Sequence, residues 1–488
     1  MNLSKRILAG AMAVASVFSL VGCGKDDGKK KETATTTTTV KATLNEAEVG
    51  IIEEKAESIQ GLPDMELANK EVHCLAHYPM NPNDTQAAAA DLKLFELKYG
   101  GKVIDNITLW ETRYTDLAKL VISGNGPDMF PADDMDAFPK GAIRGMFQPI
   151  DDYIDYTDPL WTDTATAADS FAIKDDHYVA VVGVSANYVC VYNPKTIEAE
   201  GLDDPAELFA NGEWTLDKFA EMCKEFTNEE EEKYGLDGWY YYDAISQTSG
   251  LPMISISEDG LLQNNMSDPK IEAVQNFMYE LSKHEVVWPR AEHNWEIRGG
   301  SDNTGSGMGD NLTLFYPIGL WGIEGTPEAV KLFGDVEAGE IRFVPMPINT
   351  DGGNDTHWIS ARANGFLLCS GARNPEGFKA LMYCKKACSL DEDIKELGEN
   401  QRREVYKWDD TMMDMYETVQ EMALENPVFE LHQGVTEELA TLFSNTIMSS
   451  TMMDGGEGTK TWTTVVSEQK GTVDWLIKEA NDTLSAGI

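Results

Sequence analysis

VCVYNPKTIEAEGLDDPAELFANGEWTLDKF (residues 189–219) packs a strand and two helices into one short span. The strand ends in Tyr192-Asn193, a helix follows and ends at Gly201-Leu202, and Trp214-Thr215 opens the next helix. Thr215 is placed as its cap, Trp214 and Phe219 as a staple pair, and Phe219, Met222 and Phe226 face inward. Upstream, Val179–Tyr192 is a long β-branched and aromatic run. Alternation puts Val184, Ala186, Tyr188, Cys190 and Tyr192 on one face.

Working outward, the same alternation of strand and helix recurs. Glu71–Ala76, Val103–Trp110 and Asp128–Ala132 read as strands, with helices expected at Thr85–Tyr99 and Thr115–Ser123. Ser267-Asp268-Pro269 caps a helix carrying Ile271, Val274, Met278 and Leu281, and Asn374-Pro375 starts another with Phe378, Leu381 and Met382. The C-terminal third reads as mostly helical. Strand-then-helix order predicts an α/β fold with doubly wound sheets, in which ligands bind beyond the carboxyl ends of the strands.

The chain has 488 residues, enough for two or three domains with ample core. Its 39 Lys and Arg stand against 83 Asp and Glu, a formal charge of −44. Such a field repels phosphate backbones and anionic headgroups, so no nucleic-acid partner is expected. Only the N-terminus has a long apolar run, which excludes a polytopic membrane protein.

That run is an address. Lys5 and Arg6 precede the apolar stretch Ile7–Val21, of signal-peptide length, and Leu20-Val21-Gly22-Cys23 looks like a bacterial lipobox. Residues 1–22 are therefore expected to be a signal peptide, and Cys23 the lipidated residue that tethers the protein to the outer face of the bacterial cytoplasmic membrane. Residues 23–67, with the Thr run Thr35–Thr39, read as a flexible linker, within which 46–60 could form a short helix with little to pack on. About 40 residues of coil would let the body wander roughly 35 Å from the bilayer.

Six further Cys (74, 190, 223, 369, 384, 388) and seven His lack metal-ligand spacing, so buried free thiols and no metal or cofactor are expected. Asp302–Gly307 superficially resembles a calcium loop, but its twelfth position is Thr313 rather than Glu. The glycines at 305 and 307 follow no strand, which discounts nucleotide binding.

Four segments carry a family resemblance. SGNGPDMFPADD (123–134), the stretch 189–219, GEIRFVPMP (339–347) and ANGFLLCSGARNPEGFKALMY (363–383) resemble, in order, segments of family 1 extracellular solute-binding proteins, the receptors of ABC importers. The resemblance implies two doubly wound α/β lobes joined by a hinge, a periplasmic-binding-protein-like fold of type II. Lobe 1 would be 68–184 and 350–404, and lobe 2 would be 185–349 and 405–488, with crossings near Val184 and Pro345–Pro347. It also implies a monomer that captures a sugar or oligosaccharide, delivers it to permease subunits, and meets the membrane only through its lipid.

Sugar receptors need aromatic platforms and planar polar groups. Trp110, Glu111 and Arg113 follow the second strand, Asp133 and Asp134 the third, and Asn187 and Tyr188 the first crossing. In Trp239-Tyr240-Tyr241-Tyr242-Asp243, read as alternating, Trp239 and Tyr241 share one side. Trp295, Arg298 and Trp321 surround a Gly-rich stretch, and the family pattern points to Trp321, although the Gly-x-x-Ala-Met that usually precedes it is missing. Trp358 precedes the returning strand. For each, core packing or a solvated loop is the alternative use. A secreted glycoside hydrolase, and the same fold holding a peptide or other polar metabolite, are the competing functions.

Overall fold

The structure is a computed structural model that describes residues 44–82, 89–132, 135–238, 240–289, 307–452 and 459–486. The expected signal peptide, Cys23 and the Thr run lie outside the described residues. Strands β1 (Glu71–Ala76), β2 (Lys102–Ile107) and β3 (Met129–Pro131) come first, then a small hairpin of β4 (Ala172–Ile173) and β5 (Asp176–His177). β6 (Val179–Ala186), β7 (Tyr188–Tyr192) and β8 (Tyr234–Leu236) precede a second hairpin, β9 (Ile254–Ile256) and β10 (Leu262–Asn264). β11 (Thr313–Gly319), β12 (Arg342–Val344), β13 (Ile359–Leu368) and β14 (Pro427–Val428) complete the strands.

Two sheets organise two α/β lobes. The first runs β14-β13-β3-β1-β2, with β6 also on β13; the second runs β12-β7-β11-β8. β1 is parallel to β2 and β3, so their carboxyl ends share one edge. In the second sheet β11 is antiparallel to β7 and parallel to β8, which brings the start of β7 and the ends of β8 and β11 together.

The chain changes sheets inside what reads as one unbroken extended run. Ala186 closes β6 against Ala361 of β13, and Tyr188 opens β7 against Gly319 of β11. Asn187 alone separates them, and its N–H donates to the Ser360 carbonyl at 2.6 Å. The changeover comes three residues after Val184, because β6 keeps its register on β13 through Ala186. Residues 345–358 make a second crossing from β12 to β13. β14, in the stretch expected in lobe 2, instead adds an edge strand to the first sheet.

The helix Asp410–Glu425 packs on β6, β12 and β13 and so touches both sheets. Its Gln420 carboxamide oxygen accepts the Ala186 N–H at 3.1 Å, satisfying the last backbone donor before the changeover. A large apolar core runs from Phe130 and Val181 in the first sheet through Met412 and Val419 of this helix to Val191 and Ile318 in the second. Separate cores fill the far side of each lobe, one around Phe95 and Phe378, the other around Trp214, Phe219 and Phe315.

Local chemistry sets the helix starts. The side chains of Asn193, Thr215 and Asn374 each accept a backbone N–H from the first turn of the helix they precede. Trp214 and Phe219 meet at 6.0 Å as the staple pattern predicts, both fully buried. All six cysteines from Cys74 onward are buried free thiols. No helix among the described residues is long and apolar enough to cross a membrane.

Three elements depart from the sequence reading. Residues 44–67 are not flexible linker: Asn45 and Glu48 form a capping box on the helix Glu46–Ser58. That helix docks on Ala90–Tyr99, buries Ile52 completely, and pairs Lys55 with Asp391 at 2.7 Å and Asp393 at 2.6 Å. The helix expected from Thr85 starts at Ala90, residues 83–88 lying outside the described ones. The aromatic run after Trp239 is a helix, Tyr241–Ser246, rather than an alternating strand.

Replacing Ile52 with Ala leaves a cavity in a closed core and should cost about 2–5 kcal/mol. A denaturant melt of the full chain reads it directly, and an unchanged midpoint would mean that this helix is not part of the folded body.

Candidate functional site

The carboxyl ends of the parallel strands gather one group of side chains. His77 and Tyr78 follow β1, Trp110 and Arg113 follow β2, and Asp136 follows β3. The loop bearing Trp110 is tied down by the Thr108 and Thr112 hydroxyls, which donate to Asp116 at 2.7 and 2.8 Å and hold its carboxyl near a pKa of about 2. Arg113 is buried. It donates to the Trp110 carbonyl, pairs with Asp136, and lays its guanidinium carbon 3.2 Å from the centre of the Trp110 ring. His77 meets the same indole edge-on at 4.7 Å. Burial, with Arg113 and then Arg362 of β13 nearby, lowers the His77 imidazole to about 4, so it is neutral at pH 7.

A second group lies at the matching edge of the other sheet. Tyr188 and Tyr240 stack at 5.4 Å with 21° between planes, and Tyr240 meets Trp321 edge-on at 6.3 Å. All three rings are partly buried. Trp321 folds back over Gly319, where a Cβ would stand 2.1 Å from the indole Nε1, so only glycine admits this rotamer. The two groups are joined through the changeover. Arg362 pairs with Ser185, three residues ahead of Tyr188, which is roughly 10 Å of extended chain.

Trp110 and Arg113 thus belong to the group on the first sheet and Tyr188 and Trp321 to the group on the second, with Asn187 between the sheets and Glu111 exposed beside Trp110. Two roles change. Arg113 is buried and acts as a clamp on Trp110, one N–H going to the Trp110 carbonyl and one to Asp136. Tyr241 is 4% exposed, packs in the lobe 2 core and donates to the Met452 carbonyl at 3.3 Å, since the helix turns it away from its neighbour Tyr240. Trp358 lies in the β12–β13 crossing against Gly250, whose φ of +76° and close approach leave no room for a Cβ. Asp133, Asp134, Trp239, Trp295 and Arg298 lie outside the described residues. His77, Tyr78, Asp136 and Arg362 escaped the sequence reading, which set Tyr240 on the side of the aromatic run opposite Trp239 and Tyr241; the signal for the first two was their place directly after a parallel strand. Among the described residues, no group of three or more His, Cys, Asp or Glu is placed to hold a metal ion.

The family model described as bacterial extracellular solute-binding protein matches residues 104–380. The chain belongs to that family. No curated protein matches its sequence. Among solved structures, the galacto-N-biose/lacto-N-biose I-binding protein of an ABC transporter from Bifidobacterium longum is 15% identical, with a TM-score of 0.58 over 86% of this chain and 99% of that one. An ABC substrate-binding protein from Listeria monocytogenes in complex with cycloalternan is 15% identical, with a TM-score of 0.55 over 86% and 99%. The binding protein from B. animalis subsp. lactis in complex with β-1,6-galactobiose is 17% identical, with a TM-score of 0.55 over 84% and 98%. At these identities the likeness is one of fold. The fold of this solute-binding chain is thus two α/β lobes joined at a hinge.

The depressed His77 pKa has a definite sign. Between pH 6.5 and about 4 the unfolded chain takes up a proton that the folded site refuses, so stability falls as pH falls through that window. His77→Gln should lose less melting temperature than the parent between pH 6.5 and 4. An equal loss in both proteins would remove the buried, neutral imidazole from the account.

Proposed function

We propose that this chain is a surface receptor that captures a sugar or oligosaccharide between its lobes and hands it to an ABC-type importer without altering it. The observation that carries this reading is the triad of part-buried rings Tyr188, Tyr240 and Trp321 packed together where the second sheet begins at the changeover. Sugars offer apolar C–H faces to such rings and hydroxyls to polar groups around them. Trp110 adds a fourth ring, clamped by Arg113, and neutral His77 can exchange hydrogen bonds with a hydroxyl without a change of charge. The carbohydrate complexes of proteins sharing this fold support the same ligand class.

In this reading lobe 1 is built on β1–β3, β6 and β13, and lobe 2 on β7, β8, β11 and β12. Residues 1–22 are removed, Cys23 carries the lipid, and residues up to 43 form the tether to the outer face of the cytoplasmic membrane. The receptor acts as a monomer. Ligand bridges both lobes and stabilises the closed form, which the permease distinguishes from the open one.

Thermal-shift screening of the full mature chain against oligosaccharides and peptides tests the ligand class. A true ligand at 100 times its dissociation constant adds ~2.7 kcal/mol, and response to peptides alone would overturn the carbohydrate reading. Trp321→Ala and Tyr240→Ala should each weaken binding about tenfold or more, about 1.4 kcal/mol. Incubation with the bound glycan should release no reducing ends; their release would make the protein a hydrolase.

A further inference from the structure

Arg402 stands near the end of the helix Glu392–Glu404, which packs on the helices Glu46–Ser58 and Pro375–Leu390 beside the first sheet. Its guanidinium leaves that helix and serves two partners elsewhere. Nη2 donates to Glu324 Oε1 at 3.2 Å and to the Tyr416 hydroxyl at 2.7 Å, and the guanidinium carbon lies 4.1 Å from the centre of the Tyr416 ring. Tyr416 belongs to Asp410–Glu425, the helix that touches both sheets. Glu324 belongs to the turn that follows β11 in the second sheet, where the N–H groups of Ile323 and Glu324 both donate to the Leu320 carbonyl at 3.0 Å. Trp321 sits inside that turn.

The turn is therefore fixed from two sides. Gly319 lets the indole fold back over the strand end, and Arg402 grips the turn by its last residue. Both side chains of the ion pair are three-quarters shielded, 22% and 27% exposed, so water screens this pair less than a surface one. A planar guanidinium can stack on a phenol ring and donate to a carboxylate together, which an ammonium cannot do.

We infer that Arg402 and Glu324 are positioning residues that tie the first lobe to the Trp321 turn and set the attitude of its indole in the cleft. What Trp321 touches rests on the carbohydrate reading above; its placement does not.

The test uses the full mature chain labelled with 5-fluorotryptophan, the Trp321 resonance being assigned by Trp321→Phe. Arg402→Met and Glu324→Gln should each shift or broaden that resonance, and the double variant should resemble either single one. Glu324→Gln is nearly isosteric, which guards against simple misfolding. Affinity for maltotetraose, used as a probe oligosaccharide, should fall about fivefold in both single variants. A Trp321 resonance unmoved in both variants overturns the inference, whatever happens to affinity. Should the parent bind no saccharide at all, the carbohydrate reading fails while the fluorine spectrum still decides this one.

Discussion

One extended backbone feeds two sheets. Asn187 is the only residue between a strand paired in the first sheet and a strand paired in the second, and its N–H is held by the Ser360 carbonyl at the start of β13. Tyr188 opens the second sheet opposite Gly319 because it is the first residue after the change of sheet. Arg362 stands opposite Ser185, three residues before Tyr188, because β13 keeps its register with β6 to the same point. An extended strand can rotate through small changes in its dihedrals without breaking a helix, so the joint is a natural hinge.

The joint is braced rather than loose. Gln420 holds the Ala186 N–H from a helix that packs on strands of both sheets, and a continuous apolar core passes beneath the changeover. Bracing of this kind restricts the lobes to a few relative positions. Arg402 adds an ion pair to Glu324 in the turn that carries Trp321. A receptor benefits from such preorganisation, since less ordering remains to be done when ligand arrives.

Much of this was legible in the sequence because it is local. Asn193, Thr215 and Asn374 announce their helices by side chains that bond within three residues, and the Trp214–Phe219 staple reads the same way. The changeover at Asn187 was not local. Val184, Ala186, Val189, Cys190 and Val191 are all buried, so composition gives no mark where the partner strand changes. Arg113 was legible as a residue after a parallel strand, but its clamping role depends on Asp136, whose place is set by another strand. Tyr240 and Tyr241 were mis-sorted because consecutive aromatics favour strands, while the tertiary fold makes a short helix there. The helix Glu46–Ser58 follows a polar stretch, and only its distant partners, the helix Ala90–Tyr99 and the acids Asp391 and Asp393, reveal that it docks.

The central claim is that a ligand held between these lobes closes them about Asn187. Paired spin labels at Ile122 in the first lobe and Asn211 in the second, both exposed, would report the inter-lobe distance by pulsed electron resonance. With a saccharide that raises the melting temperature, the distance distribution should narrow and shift to a single position. A distribution unchanged between free and saturated protein would contradict the account.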